Sequence, residues 1–529
     1  MLPTRRFRAI ALLTAAAVLA STIAVPSAAQ SRLPALGDPV LADFSVADER
    51  RLGEQIMREI RRDADYLDDP LLLEYLQSIW QPLVAAARQH GDIGIEIDQR
   101  FAWEAFLVRD RSVNAFALPG GRVGVHLGLI ALTSSRDELA SVLAHELTHV
   151  TQRHVARGIA TGKRQSLIGV AAMIVGVLVA SRSNSRDAAN AVITGGQAAS
   201  IQGQLNFSRD MEREADRIGI GLMADAGFAT GGMATMFEKL DQSSRLNDSG
   251  NFPYLRSHPL TAQRIGEARS RLGVGAAPQR AARDVEHLMA QARARVLMDP
   301  RAAALRRWQT PPGDAGQLAG VSNDDPLAAA CASALASTLL RDWTRADSAL
   351  QSAVRLLRSP AAAEPRAQRA LALLEAESYL ARGDAASAAA ALAPFEGHAT
   401  GADAGRPVLL LAAQVALASS NAPASVLRRR AEALETLVAT HADDATAWSE
   451  LSRLWLRLAQ PLRAARADAE ARAAIGDLDG AAERLRAGQQ RARTGPSGDF
   501  IEASVIDARL RDIEVARRRL AAETRGGGG

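Results

Sequence analysis

The chain has 529 residues, 47% hydrophobic and 23% charged, a balance that excludes a largely disordered chain and, at this length, implies two or more domains. Its formal charge of +4 is spread over mixed signs, and no Lys/Arg block with interleaved aromatics occurs, which argues against nucleic acid as a partner. A single cysteine, Cys331, excludes an intramolecular disulfide and a cysteine-rich zinc finger.

The chain opens "MLPTRRFRAIALLTAAAVLASTIAVPSAAQ". Arg5, Arg6 and Arg8 form a positive stretch, an apolar run follows to Val25, and Ser27-Ala28-Ala29 gives the small residues a signal peptidase reads. The expectation is an exported, periplasmic protein whose residues 1–29 are a cleaved signal peptide, with a retained membrane anchor as the alternative. Loss of that segment removes three Arg and no acid, leaving +1 of the +4. No Cys follows the apolar run, so no lipoprotein anchor is expected there.

Residues 38–92 read as helical, and Ser45 is placed to cap "VADERRLGEQIMREIRR". The period then changes. Alternation in "IGIEI", "WEAFLV" and "RVGVHL" predicts strands, with Pro119-Gly120-Gly121 as a turn. A helical period returns near Asp137 and is expected to run unbroken from His145 through His154. The apolar run Leu167–Ala180 has fourteen residues where a bilayer span needs roughly twenty. It reads as a buried or hairpin helix, with peripheral membrane contact as the second possibility. A helical stretch to Trp308 and a linker over 310–326 follow.

Beyond the linker, Ala/Leu/Arg helices alternate with Gly, Asn, Asp or Pro breaks. "AESYLARGDAASAAAALAPF" and "AEARAAIGDLDGAAERLRAG" share a helix, a Gly-Asp turn (Gly383-Asp384, Gly476-Asp477) and a second Ala-rich helix. "ATAWSELSRLWLRLAQPLRAA" places Trp448 and Leu451 as a tetratricopeptide first helix does. The expectation is a tetratricopeptide-like superhelix with a concave face, the alternative an ordinary Ala-rich bundle. The domain plan is therefore 1–29 signal, 30–272 catalytic domain, 273–326 connecting helix and linker, and 327–525 repeats.

The chemistry concentrates in "LAHELTHVTQRHVARG". His145 and His149 lie four apart, so on a helix their imidazoles share a face and can reach one ion. Glu146 stands about 100° round from His145, close enough to hold a water without ligating. That is the arrangement of a zinc peptidase, in which the metal acidifies water and the carboxylate carries its proton. A third ligand comes from "SRDMEREAD", where Glu212 and Asp216 are again four apart. Glu212 completes a two-His-one-Glu set, and Asp216 is placed to accept a hydrogen bond from the far nitrogen of His145. Glu214 is expected at the surface, as is His154. His126 is expected on a strand bordering the cleft.

"NAFALPGGRVGVHLGLI", "LAHELTHVTQRH", "SRDMEREAD" and "SHPLTAQRI" occur in the order seen in the zinc peptidase family of the CaaX prenyl proteases, which the chain resembles over roughly residues 40–270. Among its members the chain looks most like the exported BepA-type proteins, which join the peptidase domain to tetratricopeptide repeats. The resemblance implies a mainly α-helical, gluzincin-like domain with a small β-sheet and one Zn²⁺, with Glu212 as third ligand. It implies that "PGGRVGVHL" is an edge strand over the cleft that pairs with extended peptide, a mode that suits unfolded or misassembled chains. It singles out His258, which either closes the metal's free position from a loop or stabilises an oxyanion, a role open also to Arg264. A His capping a helix that starts near Pro259 is the structural alternative. BepA-type proteins are expected to carry a C-terminal Cys pair, which this chain lacks.

The resulting expectation is a periplasmic zinc metalloendopeptidase that degrades misfolded or stalled outer-membrane proteins. Its repeats would dock substrate or the outer-membrane assembly machinery. The alternative is a periplasmic chaperone or assembly factor with latent protease activity.

Overall fold

The computed structural model describes residues 44–161, 208–246, 252–271, 284–309, 325–358, 364–396, 405–494 and 499–526. The expected signal segment, the Leu167–Ala180 run and residues 310–324 of the expected linker lie outside the described residues. All described residues belong to one unit, Phe44–Gly529. It is mainly helical, with one four-stranded mixed sheet.

Helix α1 (Val46–Arg62) starts where the sequence places it. Ser45 Oγ accepts from Asp48 N at 3.1 Å, and Asp48 returns a bond to Ser45 N, a reciprocal cap. After β1 (Tyr66–Leu67), Asp69 caps α2 (Pro70–His90). "IGIEI" is not a strand. Gly94 opens a short helix, α3 (Ile95–Arg100), because the alternation spans only five residues and Ile95 is 80% exposed, so no second sheet face exists to receive it.

The sheet comprises β2 (Glu104–Val108), β3 (Ala115–Leu118) and β4 (Arg122–His126) beside β1, in the order β1-β2-β4-β3. β2 and β4 are parallel, the outer pairs antiparallel. The segment expected at the edge, "RVGVH", is thus interior, and the long edge is β3 ("AFAL"). The Pro119–Gly121 turn folds the chain so that β3 takes the outer place.

From the sheet the chain enters α4 (Leu127–Leu132) and α5 (Arg136–Thr151). Ser135 Oγ accepts from Glu138 N, and Asp137 and Glu138 complement the helix dipole. Every residue of α5 from Glu138 to Thr151 is buried, since α2, β3, β4, α7 (Arg209–Asp225) and α8 (Gly231–Leu246) all pack on it. Trp80, Leu107, Val123, Val125, Leu143 and Leu147 lie in this core. Each such side chain contributes roughly 1.5–3 kcal/mol by leaving water. α6 (His154–Thr161) follows α5 after a break, contrary to the unbroken helix expected. The shorter α9 (Pro253–Ser257) and α10 (Ala262–Ser270) complete this part.

The expected stretch to Trp308 is two helices, α11 (Val285–Leu297) and α12 (Ala302–Trp308). Among the described residues ten helices follow: α13 (Pro326–Leu339), α14 (Trp343–Leu357), α15 (Pro365–Ala381), α16 (Ala385–Glu396), α17 (Arg406–Ala418), α18 (Ala424–Thr440), α19 (Ala445–Arg457), α20 (Pro461–Ala474), α21 (Leu478–Thr494) and α22 (Phe500–Gly526). Consecutive helices pack together, and α13, α15, α17 and α19 also touch in succession, the pattern of stacked pairs. Gly383 and Gly476 adopt φ of +84° and +79°, and the following Asp384 and Asp477 cap the next helix. Trp448 and Leu451 are buried within α19. Cys331 is a buried free thiol in α13.

Candidate metal centre

Helical spacing on α5 aims two imidazoles at one point: His145 Nε2 lies 3.0 Å from His149 Nε2. Helix α7 reaches the same point because Gly219 lets it close on α5. A Cβ there would stand 3.3 Å from the carbonyl carbon of Ala144 and the amide nitrogen of His145. Glu212, in the first turn of α7, then sets Oε1 3.5 Å from His149 Nε2 and Oε2 3.5 Å from His145 Nε2. One turn on, Asp216 Oδ1 accepts from His145 Nδ1 at 2.9 Å. That bond keeps a proton on Nδ1, so that a bound cation would displace the other proton and take the Nε2 lone pair.

His258, the residue ending α9, is the fourth member. Its Nδ1 is 2.9 Å from Glu212 Oε1 and 3.3 Å from His145 Nε2, and its Nε2 is 3.4 Å from Glu146 Oε1. The Tyr254 ring stacks on it at 4.7 Å. It caps no helix at Pro259: α10 begins at Ala262 and Thr261 caps it. One ligand atom from each of His145, His149, Glu212 and His258 lies within 4.8 Å of the others, and all four side chains are buried.

Burial alone disfavours every charge here, and the network decides which survive. Burial opposes the imidazolium of His145, but hydrogen bonds to Asp216 and Glu212 outweigh it and lift the group to about 9. Burial, reinforced by the charges of His145 and His258, holds His149 neutral. Against burial, His258 and His145 hold the Glu212 carboxyl well below the usual range. Asp216 is lowered likewise by His145 and Arg264.

This donor set fits a divalent cation. Imidazole nitrogens and an ionised carboxylate, the donor types such an ion takes, converge from four buried side chains on one point. Both carboxylate oxygens of the fully buried Glu146 lack a hydrogen-bond partner. A buried carboxylate without a donor is costly unless a cation or a water serves it. Arg264 Nη1 lies 2.7 Å from Glu212 Oε2, yet that oxygen receives no hydrogen bond, so the contact is one of charge alone.

Residues 70–272 match peptidase family M48. The chain carries an M48 peptidase domain. Over 250 residues it is 37% identical to the putative beta-barrel assembly-enhancing protease of Vibrio cholerae, covering 47% of this chain and 49% of that one. Over 239 residues it is 34% identical to the beta-barrel assembly-enhancing protease of Escherichia coli, covering 45% and 47%. A stretch of 163 residues is 35% identical to the mitochondrial metalloendopeptidase OMA1 of Schizosaccharomyces pombe, covering 31% and 44%. The chain spans about half the length of the barrel-assembly relatives it matches.

Two residues of the M48 domain, His154 and Glu214, stand elsewhere than expected, and Arg264 and His126 have defined partners. Arg264 lies against the cluster: its Nε and Nη2 donate to Asp216 at 2.7 and 2.8 Å, bidentately, and Nη1 donates to Pro259 O. His126 is on the strand expected, at the end of β4, buried with Nδ1 2.9 Å from Ser112 Oγ. His154 is fully buried rather than at the surface, and Glu214 is half-buried against it. No local pattern announces His154, because its position depends on the backbone break before it.

Proposed function

We propose that the chain is a periplasmic zinc metalloendopeptidase acting on misfolded or stalled outer-membrane proteins. The observation that carries the chemistry is the buried convergence of His145, His149 and Glu212 beside Glu146, whose carboxylate accepts no hydrogen bond. Bound zinc supplies Lewis acidity toward a carbonyl oxygen and toward water. Glu146 acts as the general base that takes the proton of the attacking water and passes it to the leaving amine. Asp216 fixes the tautomer of His145, and Arg264 keeps Asp216 charged and oriented. His258 would offer the ion a further donor and so restrain the resting site, as its convergence with the ligands supports.

The names of the relatives support the outer-membrane assignment, and the signal-like first 29 residues support export. The position of β3 at the sheet edge suits capture of extended peptide by backbone pairing. The stacked pairs α13–α22 support tetratricopeptide-like repeats that dock substrate or assembly machinery. Among the described residues no helix is long and apolar enough to cross a membrane, and membrane contact by Leu167–Ala180 stays within the proposal.

Full burial of Glu146 and His258 favours a second reading, an assembly factor whose protease is latent. Casein cleavage and client maturation by Glu146→Gln separate the two. The protease reading expects cleavage to fall roughly 10²- to 10⁴-fold and clients to persist. Unaltered maturation in that variant would favour the assembly factor. His258→Ala is expected to raise casein cleavage, and a decrease would instead make the ring a transition-state group.

A further inference from the structure

We propose that His154 is a positioning residue for His149, holding that ring's orientation and tautomer through a chain that ends on Glu214. The inference rests on the metal-centre reading above. Helix α5 stops after Thr151 because Arg153 takes φ +52°, a left-handed conformation unusual for a residue with a side chain. The strain is offset by a buried clamp: Arg153 Nε donates to Glu49 Oε2 at 2.7 Å and Nη2 to Phe44 O at 2.9 Å. On an unbroken helix, a residue five beyond His149 would stand about 140° round the axis. The break instead brings His154 Nδ1 to 2.8 Å from His149 Nδ1, with the His154 ring fully buried.

The direction of the chain follows from the cluster. His149 Nε2 faces the other ligands, so its lone pair belongs there and its proton belongs on Nδ1. Nδ1–H of His149 then donates to Nδ1 of His154. The proton of His154 is thereby on Nε2, which donates to Glu214 Oε2 at 3.1 Å. Arg157 Nη2 holds the same oxygen at 3.1 Å. Both imidazoles on α5 therefore have an outer partner: His145 has a carboxylate directly, His149 a carboxylate through a second imidazole.

The test is zinc affinity of the full chain at fixed pH, by competition with a chromophoric chelator. His154→Leu should weaken zinc binding about 10- to 100-fold. His154→Asn places an amide oxygen where Nδ1 stood but does not reach Glu214, and should bind zinc more tightly than the leucine variant, within about tenfold of wild type. Leucine binding zinc as tightly as wild type overturns the proposal, and so do leucine and asparagine variants that are equally weak, since that marks a packing role. Should the leucine variant not fold, Glu214→Ala, at a half-exposed position, decides: a loss of about three- to tenfold supports the chain, and unchanged affinity overturns it. A wild-type chain that binds no zinc overturns the metal-centre reading along with this one, whereas zinc binding insensitive to His154 and Glu214 overturns this one alone.

Discussion

Asp216 is held from two sides, by the imidazole of His145 and by the bidentate guanidinium of Arg264. Asp216→Asn keeps the shape and removes the charge that balances a buried arginine. We predict about tenfold weaker zinc binding in a chelator competition and a loss of about 3 kcal/mol in urea denaturation. The spacing of His145, Glu146, His149, Glu212 and Asp216 was legible in the sequence because i, i+4 geometry is local: it fixes which side chains share a face before any tertiary contact is known. His154 was not legible. Its place depends on one left-handed residue, Arg153, whose conformation is set by Glu49 more than one hundred residues earlier in the chain.

Two elements make the centre, and their approach is set by Gly219. A valine there would press on the Ala144–His145 backbone, where a Cβ already meets atoms at 3.3 Å. Gly219→Val is predicted to cost about 1–3 kcal/mol and to weaken zinc binding as well, because Glu212 and Asp216 ride on the displaced helix. Thermal unfolding with and without chelator measures both effects. At this scale the sequence was informative where signals were long or chemically specific: the Ser45 cap, the Gly-Asp turns and the strand in "RVGVH". It misled in "IGIEI", five residues whose alternation a short helix satisfies as well. It also could not rank β3 and β4 as edge and interior, since strand order depends on partners distant in sequence.

Across the whole molecule, α11 links the M48 domain to the helices that follow. Arg293 on α11 donates to Asp69, the cap of α2, and to Glu377 on α15. Arg293→Met leaves two carboxylates facing each other in a site where the arginine is only 11% exposed, and is predicted to cost about 3–5 kcal/mol in denaturant unfolding. Cys331 gives an independent probe of the same region. Burial pushes its thiol up to about 12, so at pH 8 roughly one molecule in ten thousand carries the thiolate. The native chain should not react with a disulfide reagent at pH 8, and the chain unfolded in guanidinium should react once per molecule.

The central claim is that α5 and α7 together hold one divalent ion. The most direct measurement is metal content by mass spectrometry of the wild-type chain and of Glu212→Gln, each purified without added metal and dialysed identically. We predict one zinc per wild-type chain and little or none in the folded Glu212→Gln chain. A wild-type chain without metal, or a Glu212→Gln chain that keeps its full complement, would contradict it.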